Sequence, residues 1–216
     1  MSPVADTAVR RHPRADALRN RERIVAAARE MFVEHGAEVP FDEIARRAGV
    51  GNATLYRHFP ERSALIYEVI LLVLSRTTER AHEAAAEEAD AFAALRRFVH
   101  AAADERVGAL CGLLSGSIGR DHPELELTAE RARLDEAVQA LFTRAQDEGR
   151  LRHDIAIGDL VIGLSQLTRP LPGTACMNLD RFVHRHLELF LDGLEAPARS
   201  TLPGSAVTME DLRATT

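Results

Sequence analysis

Residues 41–59 have the sequence FDEIARRAGVGNATLYRHF, and this stretch decides the fold of the N-terminal region. In its first half, four residues follow the i, i+3, i+4, i+7 spacing of a buried helix face: Phe41, Ile44, Ala45 and Ala48. Gly49 supplies the backbone freedom that a sharp turn needs. In the second half, Leu55 and Phe59 lie on one side of another short helix. Its other side carries hydrogen-bonding residues, which suits insertion into a DNA groove: Asn52, Thr54, Tyr56, Arg57 and His58.

This stretch and its flanks resemble the DNA-binding domain of the TetR family of transcriptional repressors. The similar residues are Ile24-Val25-Ala26-Ala27-Ala28, Phe32, His35-Gly36, Asp42-Glu43-Ile44-Ala45, Ala48-Gly49-Val50, Thr54-Leu55-Tyr56-Arg57-His58-Phe59 and Ala64-Leu65. The resemblance implies an all-α protein: an N-terminal three-helix, helix-turn-helix DNA-binding domain followed by a larger C-terminal helical ligand-binding and dimerisation domain. A weaker similarity to SbtR-like regulators comes from Gly149-Arg150-Leu151-Arg152, Asp159-Leu160 and Leu189-Phe190-Leu191-Asp192-Gly193-Leu194.

Composition and charge agree with this class of protein. Hydrophobic residues are 46% of the 216 residues, which is ample for a core, and abundant alanine favours helix throughout. The net charge is −6, yet residues 1–62 hold 11 arginines against 9 acidic residues, whereas the remainder holds 16 arginines against 24. The positive charge therefore coincides with the candidate DNA-binding motif.

The cysteine content and the hydropathy indicate in which cellular compartment the protein is expected. Cys111 and Cys176 do not make a disulfide framework. No apolar run approaches the about 20 residues of a membrane span, and the N-terminus lacks the apolar stretch typical of secretion signals. We therefore expect a soluble, cytoplasmic protein.

The pattern along the chain predicts four regions: a flexible basic arm (1–14), the DNA-binding domain (15–62), a helical ligand-binding and dimerisation domain (63–195) and a tail (196–216). The arm either reaches a minor groove or phosphates, or is a disordered tail. Nine helices are predicted, with one more helical turn in the tail beginning at Thr208. The first spans 16–35, the next two form the helix-turn-helix, and the fourth to ninth span about 63–81, 90–106, 109–118, 124–148, 159–168 and 179–194.

The resemblance also implies roles for single side chains on DNA. Phosphate contacts supply affinity and position, whereas contacts with base edges select the sequence. The implied phosphate anchors are Thr54, Tyr56, His58 and Arg62. The implied base readers are Asn52 and Ala53, while Arg57 reaches a guanine edge or a phosphate, and Arg46 and Arg47 clamp the backbone.

These roles have structural alternatives. Asn52 either caps its helix or faces a base edge, because Gly51 stands where the family often has serine. Tyr56 either contacts DNA or packs its ring on the domain, and His58 either contacts DNA or is a solvated or capping histidine. Arg46 and Arg47 both lie on the first helix of the motif. We expect one of them to be exposed and the other to pair with an acidic neighbour, Asp42 or Glu43.

Two copies of the motif are needed, since one makes too few contacts for a specific site. Dimers place two recognition helices about 34–36 Å apart. The resemblance implies a homodimer, formed through the eighth and ninth predicted helices, on a near-palindromic double-stranded DNA operator. It also implies a repressor that an unknown small-molecule effector releases. Nine residues are candidates for effector binding, although for each of them the alternative is simply to fill a helical core. They are Phe92, Arg96, Val99, Cys111, Leu114, Ser115, Phe142, Leu164 and Leu167.

Other classes of protein are less consistent with the sequence. No catalytic set, Gly-rich phosphate loop or metal signature is found, so we expect no enzyme, metal or cofactor. His184 and His186 diverge on one helix, and His100 and Asp104 fit a solvated pair. A non-specific DNA-packaging protein is opposed by the acidic second domain. A ligand-independent scaffold would be favoured by a fully packed second domain.

Overall fold

The computed structural model describes residues 13–107, 110, 124–168 and 180–213. These ranges contain nine helices: α1 (Pro13–His35), α2 (Phe41–Ala48), α3 (Asn52–His58), α4 (Arg62–Glu87), α5 (Ala91–Asp104), α6 (Glu124–Asp147), α7 (Ile157–Leu167), α8 (Asp180–Leu194) and α9 (Met209–Arg213). Their β-pairing is confined to one isolated antiparallel bridge, Leu151 with Glu195. The all-α prediction is therefore confirmed for the described chain.

Two predicted segments lie outside the described residues. They are most of the basic arm (1–14) and the predicted sixth helix (109–118), of which Leu110 alone is described. The predicted eighth and ninth helices therefore correspond to α7 and α8.

The chain forms two compact units, residues 1–69 and 70–216. Their boundary falls inside α4 and not at the predicted junction of residues 62 and 63. The reason is local, because α4 begins at Arg62 and continues without interruption to Glu87.

The N-terminal unit buries the apolar residues that the periodicity singled out. They are Ile24, Ala28, Met31 and Phe32 of α1, Phe41, Ile44, Ala45 and Ala48 of α2, and Leu55 and Phe59 of the α3 segment. The turn after α2 favours glycine because Gly49 has a φ of 64°, in the left-handed region. Arg23 of α1 contacts this turn, since its Nη2 donates to the Gly49 carbonyl at 3.1 Å.

The C-terminal unit has a helical core built on α5, α6, α7 and α8. The Asp90 side chain caps α5 by accepting the Ala93 N–H at 2.8 Å. The largest fully buried side chains of this core are Phe92, Leu95, Leu141, Phe142, Leu151 and Leu160.

The predicted tail packs on this unit. Asp159 of α7 accepts the Val207 N–H at 3.2 Å, and a Cβ on Gly158 would lie 2.3 Å from the Val207 carbonyl oxygen. The backbone therefore passes so close to α7 that a side chain at Gly158 would collide with it. The predicted helical turn after Thr208 is confirmed, because the Asp211 N–H donates to Thr208 Oγ1 at 3.2 Å where α9 begins.

Candidate nucleic-acid interface

Helix α3 presents a polar face opposite its buried residues. Leu55 is fully buried within α3 and Phe59, which follows the helix, is also buried. Four side chains on the outward side are exposed: Asn52, Ala53, Tyr56 and Arg57. Two side chains at the flanks, Thr54 and His58, are half-buried. All six are residues to which the sequence assigned DNA contacts.

The beginning of α3 distinguishes the two alternatives for Asn52. Gly51 occupies the N-cap position, and its carbonyl accepts the N–H groups of Thr54 at 2.9 Å and Leu55 at 3.1 Å. No side chain caps the helix. Asn52 is the first helical residue and is exposed, so its amide can pair with an adenine edge.

Tyr56 combines the two roles that the sequence left open. Its ring lies 5.4 Å from the Phe41 ring, centroid to centroid, with the planes tilted by 50°. It nevertheless stays 53% exposed. The ring therefore packs on α2 and also presents an accessible surface.

The four candidate arginines differ in what holds them. Arg46 and Arg57 are exposed, and neither guanidinium has a hydrogen bond or ion pair with any residue that the structure describes. Arg47 is also exposed, but its guanidinium is bound by two carboxylates of α1: Nη1 lies 3.0 Å from Glu30 and Nη2 lies 2.8 Å from Glu34. The hydrogen bond from Arg47 lowers the pKa of Glu34.

The expected division of Arg46 and Arg47 is therefore present, but the expected partners of Arg47, Asp42 or Glu43, are wrong. Those acids share the short helix α2 with the arginine. Arg47 instead pairs with α1, because the packing of α2 on α1 turns this side chain towards it.

Arg62 is held more firmly than the other three. It is half-buried at the first position of α4, and its Nη1 donates to the carbonyls of Ala37 at 2.6 Å and Val39 at 2.8 Å. Its guanidinium also lies over the Phe41 ring, 4.9 Å from the centroid. Such cation–π contacts are favourable by about 0.5–2 kcal/mol.

Comparison with known proteins decides the family. Residues 24–69 match the family model for bacterial regulatory proteins of the TetR family, and residues 90–196 match the C-terminal domain of SbtR-like transcriptional regulators. The TetR transcriptional regulator SCO0520 from Streptomyces coelicolor is 30% identical, with 82% of this chain and 99% of that chain covered and a TM-score of 0.62. The chain belongs to the TetR family.

Other relatives agree with this assignment. A TetR transcription regulatory protein from Mycobacterium vanbaalenii is 31% identical, covering 85% of this chain and 99% of that chain, with a TM-score of 0.57. An HTH-type transcriptional regulator of Staphylococcus aureus (strain USA300) is 47% identical over 58 residues, which are 26% of this chain. The chain spans 31% of the length of that curated relative. TetR regulators bind DNA operators and dimerise, and they are generally not enzymes.

The C-terminal unit of this TetR-family regulator contains the candidate effector residues that can be located. Phe92, Val99, Phe142 and Leu164 are buried core residues, and Leu167 is partly buried against the core. Cys111, Leu114 and Ser115 lie outside the described residues. Arg96 stacks over Phe92 at 5.3 Å and pairs with two acids of α8, Glu188 at 3.6 Å and Asp192 at 3.5 Å.

A histidine pair that the sequence did not indicate joins α5 to α8. The Nδ1 atoms of His100 and His184 lie 2.7 Å apart, and their rings stack at 5.0 Å. Nε2 of His100 contacts Glu188 at 2.5 Å, and Nε2 of His184 contacts Asp104 at 3.0 Å. The two histidines are 84 residues apart, which explains why spacing could not pair them.

Two features are absent from residues 13–107, 110, 124–168 and 180–213. There, no three histidine, cysteine or acidic side chains are grouped as metal ligands would be. Within the same ranges, no helix combines the length and apolar character of a membrane-spanning segment.

Proposed function

We propose that this transcriptional regulator is a repressor that binds a near-palindromic operator as a homodimer and leaves it when a small-molecule effector binds. The observation that carries the DNA-binding part is the division of α3 into a buried apolar side, with Leu55, and an exposed hydrogen-bonding side, with Asn52, Tyr56 and Arg57. A helix that its own unit already holds by one side can place the other in a major groove.

The individual roles on DNA follow from exposure and chemistry. Asn52 and Ala53 read base edges, the first by its amide and the second by contact with a thymine methyl. Arg57 reaches a guanine edge or a phosphate, and Arg46 contacts the sugar-phosphate backbone of the DNA. The half-buried and partly packed residues hold phosphates through their polar ends: Thr54, Tyr56 and His58.

The dimer is proposed to form through α7 and α8. The described residues of the C-terminal unit include three exposed large apolar side chains near these helices: Ile162 at 39% exposure, Leu189 at 61% and Leu202 at 42%. They line one open hollow of about 560 Å³ along α7 and α8. An apolar surface that a single chain leaves open supports burial against a second copy.

A close contact inside each chain holds the two helices in place. A Cβ on Gly163 would lie 2.3 Å from the Phe190 ring, so α7 and α8 approach each other through glycine.

An effector is proposed to bind through residues of α5, α6 and α7 and through the predicted helix 109–118, most of which lies outside the described residues. It would change the spacing of the two DNA-binding domains, which requires that it bind one state better than the other.

The first experiment selects DNA from a random pool with the full-length protein and then measures binding to the selected site. Replacing Tyr56 and Arg57 together by alanine should weaken binding at least tenfold and leave the fold intact. Glu38→Ala is the matched control, because Glu38 is exposed in the same unit but lies outside α3. An unchanged isotherm in the double variant would refute the role of α3.

The selection also separates the alternative functions. A DNA-packaging protein would bind selected and random DNA equally at one fixed salt concentration. A ligand-independent scaffold would remain on the operator in the presence of every compound of an effector library, whereas a TetR-type repressor is released by one of them.

A further inference from the structure

Arg62 occupies the position at which the family resemblance implies a phosphate contact, yet this chain surrounds its guanidinium with its own groups. The two hydrogens of Nη1 are directed to the carbonyls of Ala37 and Val39, in the loop between α1 and α2. Cζ of Arg62 lies over the Phe41 ring, 4.9 Å from its centroid. Arg62 therefore links the first turn of α4 to the loop before α2 and to the first residue of α2.

The Phe41 ring that supports Arg62 also supports Tyr56. Phe41 is buried, and its ring centroid lies 5.4 Å from that of Tyr56. Arg62, Phe41 and Tyr56 thus form a chain of contacts from α4 through α2 to the exposed face of α3. The same three side chains line one shallow hollow in the surface, together with Pro40, Asp42 and Pro60.

This chain of contacts matters because it reaches the exposed side of α3, whereas the buried Leu55 and Phe59 anchor the opposite side. The helix has seven residues, no side-chain cap, and one buried residue within its own length, Leu55. Tyr56 contacts α2 through the Phe41 ring, so a rotation of that ring would move the phenol. A planar guanidinium with two fixed hydrogen bonds is suited to hold the ring, whereas a lysine ammonium is a mobile point charge without a stacking face.

We infer that Arg62 is a positioning residue of the DNA-binding face: it fixes Phe41 and, through it, Tyr56, and its own charge makes no direct contact with a phosphate. This inference rests on the proposed DNA binding by α3. It also distinguishes Arg62 from Arg57, which is exposed and has no partner among the described residues.

The test compares Arg62→Lys and Arg62→Met with Arg57→Lys and Arg57→Met in the full-length protein on the selected operator, at several salt concentrations. A phosphate contact contributes about 0.9 to the slope of log K against log[salt]. We expect Arg62→Lys and Arg62→Met to weaken binding about fivefold and tenfold with the wild-type slope. A cation in contact with a phosphate behaves differently: if Arg57 has that role, Arg57→Met lowers the slope by about 0.9, whereas Arg57→Lys retains the charge and the wild-type slope. Wild-type affinity in Arg62→Lys, with a lowered slope in Arg62→Met, would overturn the inference.

A second readout needs no DNA and separates this inference from the proposed function. The nuclear Overhauser effects between the Tyr56 and Phe41 rings should weaken in both Arg62 variants and persist in Arg57→Met. Unchanged effects in Arg62→Met would overturn the positioning role even if operator binding is lost. If the wild-type protein selects no operator, the proposed function fails and this measurement still decides the role of Arg62.

Folding is monitored by circular dichroism. Should Arg62→Met not fold, Arg62→Lys decides, because it retains the charge at the start of α4. If both variants unfold while Arg57→Met remains folded, Arg62 stabilises the whole unit and the specific link to Tyr56 is overturned.

Discussion

The outward face of α3 differs in chemistry from the apolar patch on α7 and α8. Each of the three helices buries at least one large apolar residue in its own unit: Leu55 in α3, Leu160 in α7 and Leu187 in α8. Helix α3 exposes amide, phenol and guanidinium groups. Helices α7 and α8 expose Ile162 and Leu189, although α8 also exposes polar residues such as Arg185.

This difference shows that the partner of a helix is indicated by the side it does not bury. Polar donors on a short helix suit the base edges and phosphates of a duplex, and their contribution falls with salt. Exposed leucine and isoleucine suit an apolar partner, and their contribution changes little with salt. Variants on each face should therefore fail in different assays.

The largest effect is expected from the buried side of α3. Replacing the fully buried Leu55 with alanine leaves a cavity and should lower the free energy of unfolding by about 2–5 kcal/mol. Urea unfolding measures this loss, and operator binding should disappear with it. Tyr56→Ala is the matched variant on the exposed side, and it should weaken binding while changing the unfolding midpoint little. Equal destabilisation by the two variants would contradict the division of α3 into a buried and an exposed side.

The next effect concerns the apolar face of α8. Introducing a charge by Leu189→Glu should weaken dimerisation about 100-fold or more, because an unpaired carboxylate would be buried between the copies. Sedimentation velocity at increasing protein concentration measures the change. Leu189 is a sharper choice than Phe190, since the Phe190 ring also packs against Gly163 within one chain.

The control for this variant is Arg185→Glu on the same helix. Arg185 is exposed and lies outside the apolar hollow described above, so this variant should remain dimeric. A dimer that survives Leu189→Glu would remove this face of α8 from the interface.

A smaller effect is expected from one cation of the α3 face. Arg57→Gln should weaken operator binding about tenfold and reduce the salt slope by about 0.9, if the guanidinium contacts a phosphate. Fluorescence anisotropy with labelled operator at four salt concentrations provides both numbers. A salt-independent loss limited to one base of the operator would instead assign Arg57 to a guanine edge.

The smallest effect comes from the carboxylates that hold Arg47. The double variant Glu30→Gln with Glu34→Gln removes both partners and two negative charges, so binding should strengthen about two- to threefold at low salt. Glu38→Gln changes the charge of an exposed acid that does not contact Arg47, and it should have less effect. Weaker binding by the double variant would mean that the two acids hold Arg47 where DNA needs it.

The fold of the described chain was largely predictable because its helices are amphipathic and several of them, such as α1, α2 and α6, are closely followed by glycine. The stripe of α2, the left-handed Gly49 and the buried Leu55 and Phe59 are all as the spacing predicts. The start of α4 was predicted within one residue, but its end was not. No breaker stands between residues 81 and 87, and alanine and glutamate continue a helix readily.

The exposure of the α3 face was predictable from the sequence, but the contacts that hold the nearby arginines were not. Spacing on α3 placed Asn52, Tyr56 and Arg57 on one exposed side, as the structure has them. It could not show that Arg47 pairs with α1 or that Arg62 lies over Phe41, because these partners lie 13 to 21 residues away along the chain. The same limit hid the contact between His100 and His184.

The sequence by itself determined the family, the helical class and the side of α3 that faces outward, since these depend on residues within a few turns of each other. The tertiary structure alone decided which arginines are held by the protein, how the segment after α8 returns to α7, and which apolar residues remain exposed. Those outcomes depend on contacts between distant segments. A one-dimensional pattern contains no information about which carboxylate, carbonyl or ring the packed chain brings within about 3–5 Å of a given guanidinium.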